Sequence, residues 1–272
     1  AYLNDTELND NKLFIYPNIE ASYRLVNDIL IGYAGVTGDL IQNSYFDFAN
    51  TNPFVSPTLF VTPTDQQYHG FIGLKGKLSN SVSYNIKGNY FAEENKALFK
   101  TNRAQSFATE GYQYGNSFAV VYDNVKTFSV GGELNIDVNR NFKLAIKCQY
   151  FNYNTDMQAE AWNLPNIEGS VFLDYQISRQ WFMGGSVFFT GERKDESKLL
   201  GTLVPIPVIM LNLDSSFDAN MHFGYKVTDY LSVYGKVNNI ANQDYQRWNN
   251  FPVQGIQFLA GATFQFDFNF TR

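Results

Sequence analysis

The chain is short of cysteine, histidine, charge and long apolar runs, and each shortage removes a class of protein. One cysteine, Cys148, among 272 residues rules out an intrachain disulfide and a cysteine-paired metal centre. The two histidines, His69 and His222, are not clustered with other ligand-type residues at metal-binding spacing, so no metal or cofactor is expected. No stretch approaches the ~18 uninterrupted apolar residues of a transmembrane helix. The net charge is -6 with Lys and Arg scattered, which argues against nucleic acid as a partner. The eight prolines lie almost entirely outside the periodic segments. Ala1 to Asn11 reads AYLNDTELNDN, with neither the basic nor the apolar region of a secretory leader, and a chain already processed would read the same.

What is abundant is aromatic. Phe and Tyr number 25 and 18, aromatic residues reach 17%, and charged residues stay at 17%, below the usual ~25%. Yet the mean hydropathy is -0.26. Such a chain needs one apolar surface and one polar surface.

The pattern that supplies both has period two. Val82, Tyr84, Ile86, Gly88 and Tyr90 alternate with Ser83, Asn85, Lys87 and Asn89; Phe128, Val130, Gly132, Leu134 and Ile136 alternate with Ser129, Glu133, Asn135 and Asp137. Successive strand residues point to opposite faces, so each segment is apolar on one side and polar on the other. The final segment alternates Phe258, Ala260, Ala262, Phe264, Phe266, Phe268 and Phe270 with Gln257, Thr263, Gln265, Asp267 and Asn269. Eleven strands are predicted, near 12–26, 29–42, 66–78, 81–97, 117–138, 142–156, 165–178, 181–194, 210–226, 230–240 and 256–270, with no helix of useful length.

The connections are asymmetric. Short turns at Val26–Asp28, Ser79–Ser81, Asn139–Asn141, Ser178–Gln180 and Thr228–Tyr230 alternate with long loops at 43–65, 98–116, 157–164, 195–209 and 241–255. Neighbouring strands are then antiparallel, with turns on one rim and loops on the other, as in outer-membrane barrels. A β-sandwich also alternates, but its strands average ~5–6 residues, whereas a tilted membrane strand needs ~9–11. A soluble ligand-binding barrel would turn the apolar face inward; strand length, aromatic load and loop asymmetry favour the membrane. The fold class read from the sequence is therefore all-β, an antiparallel transmembrane β-barrel of the outer membrane, one domain over 1–272, with lipid against the Phe- and Leu-rich face. Single-chain bacterial barrels have an even number of strands. An odd count predicts one unread strand or, the reading preferred because 1–11 is polar and aperiodic, a C-terminal portion of a larger, 22-stranded barrel.

The C-terminal hairpin reads YGKVNNIANQDY over 234–245 and FPVQGIQFLAGATFQF over 251–266. It resembles the last hairpin of TonB-dependent outer-membrane receptors, particularly those of Bacteroidetes-like bacteria. The stretch Asn52-Pro53-Phe54-Val55-Ser56-Pro57 resembles an external loop of the same receptors. The resemblance implies uptake of a scarce nutrient (a metal chelate, a vitamin or a glycan), a plug domain with upstream barrel strands, and a TonB-like energy-coupling partner. A plugless porin or a structural subunit of a larger outer-membrane complex is the alternative; an enzyme comes third.

Alternation turns Glu133, Asp137, Lys143, Lys147, Asp174, Asp214, Asp218 and His222 toward the lumen, either along a substrate path or against a plug, or simply as ion pairs in a wet interior. His222 with Asp218 and Asn220 has the residue types of a hydrolase, but the plainer reading is a solvated polar ladder. Trp162, Tyr245, Trp248 and Phe251, with Tyr153, either stack on an external ligand or anchor at the membrane surface. The charge run Glu192, Arg193, Lys194, Asp195, Glu196 and Lys198 reads as a solvated outer loop, and Cys148 as a small lipid-facing residue.

Overall fold

The computed structural model describes residues 2–5, 10–102, 104, 108–138, 141–197 and 209–266. Eleven strands form one antiparallel sheet. In chain order with the smaller elements, they are β1 (Tyr2–Asp5), β2 (Asp10–Leu13), β3 (Asn18–Val26), β4 (Leu30–Ile41), helix α1 (Tyr45–Thr51), β5 (Thr64–Ser79), β6 (Val82–Thr101), β7 (Phe118–Val138) and β8 (Phe142–Thr155). There follow β9 (Ile167–Gln176), β10 (Trp181–Thr190), β11 (Arg193–Ser197), β12 (Ile209–Leu213), β13 (Ser216–Lys226), β14 (Leu231–Asn238), β15 (Gln246–Trp248), β16 (Phe251–Pro252) and β17 (Gln257–Phe264). The large sheet runs β3-β4-β5-β6-β7-β8-β9-β10-β13-β14-β17, and β1-β2, β11-β12 and β15-β16 are separate hairpins.

Each of the eleven predicted segments contributes one strand to the large sheet, and the alternation of short turns with long loops holds throughout. Most boundaries shift by a residue or two, β6 runs on to Thr101 past the predicted 97, and four further differences are larger or change the element. The first sheet strand starts at Asn18, after Pro17, whose missing N–H suits a strand boundary; Lys12 and Leu13 pair with β1 instead. The segment 181–194 stops at Thr190, and Arg193 opens a loop hairpin that pairs with the front of 210–226. That second segment is thus two strands, broken between Leu213 and Ser216. The last strand is described to Phe264, and the reading of Asp267, Phe268, Asn269 and Phe270 as its continuation falls outside the described residues. Helix α1 was also not anticipated; Ser44 caps it by accepting from the Asp47 amide at 3.2 Å, a Ser-x-x-Asp signal on an element of only 7 residues.

Register sorts the faces. One continuous row reads Leu134, Ile146, Val171, Val187, Ala219 across five strands. Another reads Ile136, Leu144, Leu173, Gly185, Met221, Val237, Phe258. Large apolar side chains on this face lie open, Ile72 at 69% and Phe258 at 74% exposure. No helix of the described residues is long and apolar enough to cross a membrane; here the strands present the apolar band. Backbone groups in hydrocarbon must be paired internally, which a continuous antiparallel ladder provides.

The opposite face is polar with aromatic inserts. Tyr33 stands opposite Gly73 and Phe71 opposite Gly35, and each ring lies across its glycine so closely that a Cβ there would sit 2.4–2.5 Å from ring carbon. Phe182 covers Gly224 in the same way. The ring fills the gap that a bare glycine leaves in the wall.

The buried core sits in the loops. Phe48, Val55, Phe99, Phe118 and Trp248 form one cluster, and Leu98, Val125 and Trp162 a second. The first draws on α1, the extended ends of β6 and β7, and β15. Val55 bridges Phe118 in parallel. The long loops thus pack on one another into a lobe at one rim, with β6 and β7 running up into it.

Candidate functional site

The polar face gathers most of the lumen-facing candidates into register. Glu133 stands opposite Lys147, and Asp137 opposite Lys143. Lys143 is opposite Asp174, Gly184 separates Asp174 from His222, and His222 is opposite Lys236. Opposite charges on directly facing positions are the favourable cross-strand arrangement. At Gly184 the absence of a side chain lets two neighbours converge: a Cβ there would lie 2.4 Å from His222 Cε1 and 2.8 Å from Asp174 Oδ1. Side chains from four strands, among them Phe172, Asp174, Ser186, Asp218, His222 and Lys236, surround a shared cavity of about 550 Å³.

Asp214 is the exception. It lies in the break between β12 and β13, exposed and outside the ladder, because the chain turns there out of the loop hairpin. Asp218, Asn220 and His222 line that shared cavity together, but among the described residues no hydrogen bond joins His222 to the other two: Asp218 is engaged by the Tyr245 hydroxyl at 3.5 Å and Asn220 by the Asn239 amide at 3.1 Å. Among the described residues no three His, Cys, Asp or Glu side chains are grouped as a metal ion would require.

The external-loop aromatics divide. Trp162 is 1% exposed and Trp248 7%; both are core, and neither presents a ring to an outside ligand. Trp162 donates its indole N–H to Gln158 at 2.9 Å, and Lys100 lies 5.1 Å over its ring. Phe251 stacks on Phe54, centroids 3.4 Å apart, which ties the last long loop to the first. Tyr245 lines a cavity between loop and wall.

That cavity, about 480 Å³, is lined by Glu168, Phe188, Thr190, Arg193, Asp218, Tyr245 and Arg247 among others. Glu168, Thr190 and Ser216 come from one row of the wall, and Arg193 and Arg247 come from the loop lobe. Burial pushes the Tyr245 hydroxyl upward from its ordinary value and Asp218 adds to this, while Arg247 and Arg193 pull it down. The phenol therefore stands between charges of both signs.

Half of the charge run around Arg193 is buried, while Glu192 stays exposed as a solvated loop residue would. Arg193, Asp195 and Glu196 are 6%, 0% and 4% exposed, because β11 lies under the other loops. Arg193 donates to the carbonyls of Arg247 and, at 2.9 Å, Gln246. Asp195 accepts from the Thr101 hydroxyl at 2.6 Å, the Thr101 amide at 3.0 Å and the Glu196 amide at 2.7 Å. Lys100 pairs with Glu196 and Lys194 with Glu160 at 2.6 Å. Lys198 lies outside the described residues. The available signal was period two within the run itself, which puts Arg193 and Asp195 on one strand face.

No family model and no curated protein matches the sequence. Solved structures do. The pyoverdine outer-membrane receptor FpvA of Pseudomonas aeruginosa PAO1 superimposes with a TM-score of 0.66 at 15% identity, over 92% of this chain and 36% of that one. The ferric-catecholate import receptor Fiu of E. coli K12 gives 0.63 at 13% identity, over 91% and 34%. The copper transporter OprC gives 0.59 at 15%, over 91% and 38%. The chain spans little more than a third of the length of these structures. With an apolar band on one face and this likeness in shape, it has the fold of the wall of an outer-membrane β-barrel.

Proposed function

We propose that this chain is the C-terminal barrel portion of an outer-membrane receptor that takes up a nutrient ligand, of the TonB-dependent kind. The observation that carries the reading is the combination of a polar face with a packed lobe of loops over one rim, on a sheet whose two edge strands, β3 and β17, each have a partner on one side only among the described residues. Edge strands cannot be left unpaired in lipid, so further strands of the same protein, enough for the 22 of outer-membrane transporters, complete the wall. A plug from the same protein fills the lumen against the polar face, and a TonB-like protein supplies energy from the inner membrane. FpvA, Fiu and OprC, a receptor for pyoverdine, an importer of ferric catecholates and a copper transporter, support a chelate-type nutrient without singling one out.

The test uses the complete protein reconstituted in liposomes. A plugged receptor gives no swelling in maltose and retains the periplasmic domain of the cell's TonB-like protein on an affinity column. Swelling at porin-like rates, or no retention, overturns the reading in favour of a plugless porin or a structural subunit of an outer-membrane complex.

A further inference from the structure

The cavity beneath the loop lobe carries two buried polar atoms of opposite character that have no partner among the described residues: Arg193 Nε, a donor, and Asp218 Oδ1, an acceptor. Arg193 is 94% buried by its 6% exposure, so its guanidinium is desolvated, and its two terminal nitrogens are already committed to loop carbonyls. Buried polar groups are nearly always satisfied, and a desolvated cation needs an anion or acceptor close by. Asp195, the acid nearest in sequence on the same face, is taken by Thr101 and the Glu196 amide.

Charge around the cavity is balanced, two cations against two carboxylates. Arg193 and Arg247 line it from the lobe, Glu168 and Asp218 from the barrel wall. A ligand of net negative charge would meet two carboxylates, and a cation two guanidiniums. A neutral sugar offers neither a carboxylate to the guanidiniums nor an ammonium to the carboxylates. A dipolar ligand satisfies both at once.

We propose that this cavity is a subsite for a zwitterion of the amino-acid type, its carboxylate taken by Arg193 and Arg247 and its ammonium by Asp218 and Glu168. Tyr245, hydrogen-bonded to Asp218, stands between the two halves, and Phe188 gives the apolar wall against which a short side chain rests. The volume is that of a small-ligand pocket, within the usual range of ~300–1,000 Å³. The proposal rests on the receptor reading and narrows it to ligands that carry a free amino acid or peptide end.

Isothermal titration of the complete protein in detergent, with L-alanyl-L-alanine, its N-acetyl form, its C-terminal amide and maltose as probes, tests it. The dipeptide is expected to bind, and each capped form to bind about tenfold more weakly, the loss that one unpaired buried charge contact produces. Arg247→Gln should abolish discrimination against the amide, and Asp218→Asn discrimination against the N-acetyl form. Arg193→Gln risks loosening the lobe, which is why the exposed Arg247 carries the test. Capped forms that bind as well as the dipeptide, binding of maltose alone, or no binding of the dipeptide would each overturn the subsite. Those results leave the receptor reading standing, since that depends on liposome swelling and capture of the TonB-like protein.

Discussion

Trp162 packs against Leu98 and Val125 and holds Gln158 through its indole N–H. Replacing it by alanine removes a large buried ring, a change that costs about 3–5 kcal/mol in well-packed cores. Hydrogen exchange should show the amides of the upper ends of β6 and β7 losing protection in Trp162→Ala, with the lower ends unchanged; equal loss along the strands would refute a loop-lobe core. Asp195 permits a prediction in pH. Burial raises its pKa, against the lowering pull of Thr101, Asn163 and Lys100. A carboxyl raised on folding contributes stability that is fully present below its ordinary value of 3.8 and is lost as pH rises through the elevated value. The lobe of the native protein should therefore lose stability relative to Asp195→Asn as pH rises from acid toward that point. Exchange at the Thr101 amide, corrected for its intrinsic pH dependence, measures the difference.

At the scale of elements, glycines set where neighbouring turns can lie. A Cβ on Gly76 would come within 1.9 Å of the Ile29 carbonyl oxygen, which is backbone of the β3-β4 turn and cannot swing aside. That turn is already specified by Asn27 in the left-handed region, φ 41°, a conformation asparagine tolerates. Gly70, on the same strand, meets nothing closer than 4.0 Å. Gly76→Ala is expected to cost about 1–3 kcal/mol and to reduce the fraction of heat-modifiable, folded protein on a gel, while Gly70→Ala leaves it unchanged. The eleven strands were legible because a sheet with unlike faces writes period two into every segment, and Leu134, Ile146 and Val171 fall into one row for that reason. The loop elements were not legible. Arg193–Ser197 and Ile209–Leu213 pair with each other, and both faces of Arg193–Ser197 are used, so polarity there no longer reports exposure. Trp162 and Trp248 look the same in sequence whether they await a ligand or fill a core; only the convergence of distant loops, Phe54 on Phe251 or Val55 on Phe118, decides between them. The cavity's cations were hidden for the same reason, since Arg193 resembles any solvated charge until β15 is laid over it.

For the molecule as a whole, orientation of the two faces is the claim with the largest energetic consequence. Val171 and Ser170 are neighbours in the middle of β9. Val171 lies in the apolar row between Ile146 and Val187, and Ser170 lies opposite Lys147 and Phe188 on the polar face. Moving an arginine into hydrocarbon at mid-depth costs about 2–4 kcal/mol in barrels of this type, while one added to a water-filled wall stays near ~0.5 kcal/mol. Val171→Arg should therefore lower the folding free energy in lipid vesicles, measured by denaturant titration, several times more than Ser170→Arg. In a detergent whose micelle yields around the charge, the gap should narrow, because the guanidinium then reaches water by snorkelling. The reverse order, with Ser170→Arg the costlier change in vesicles, would place the Phe- and Leu-rich band inside and make the sheet the wall of a soluble ligand-binding barrel. A single pair of adjacent substitutions thus separates the two architectures that alternation alone leaves equivalent.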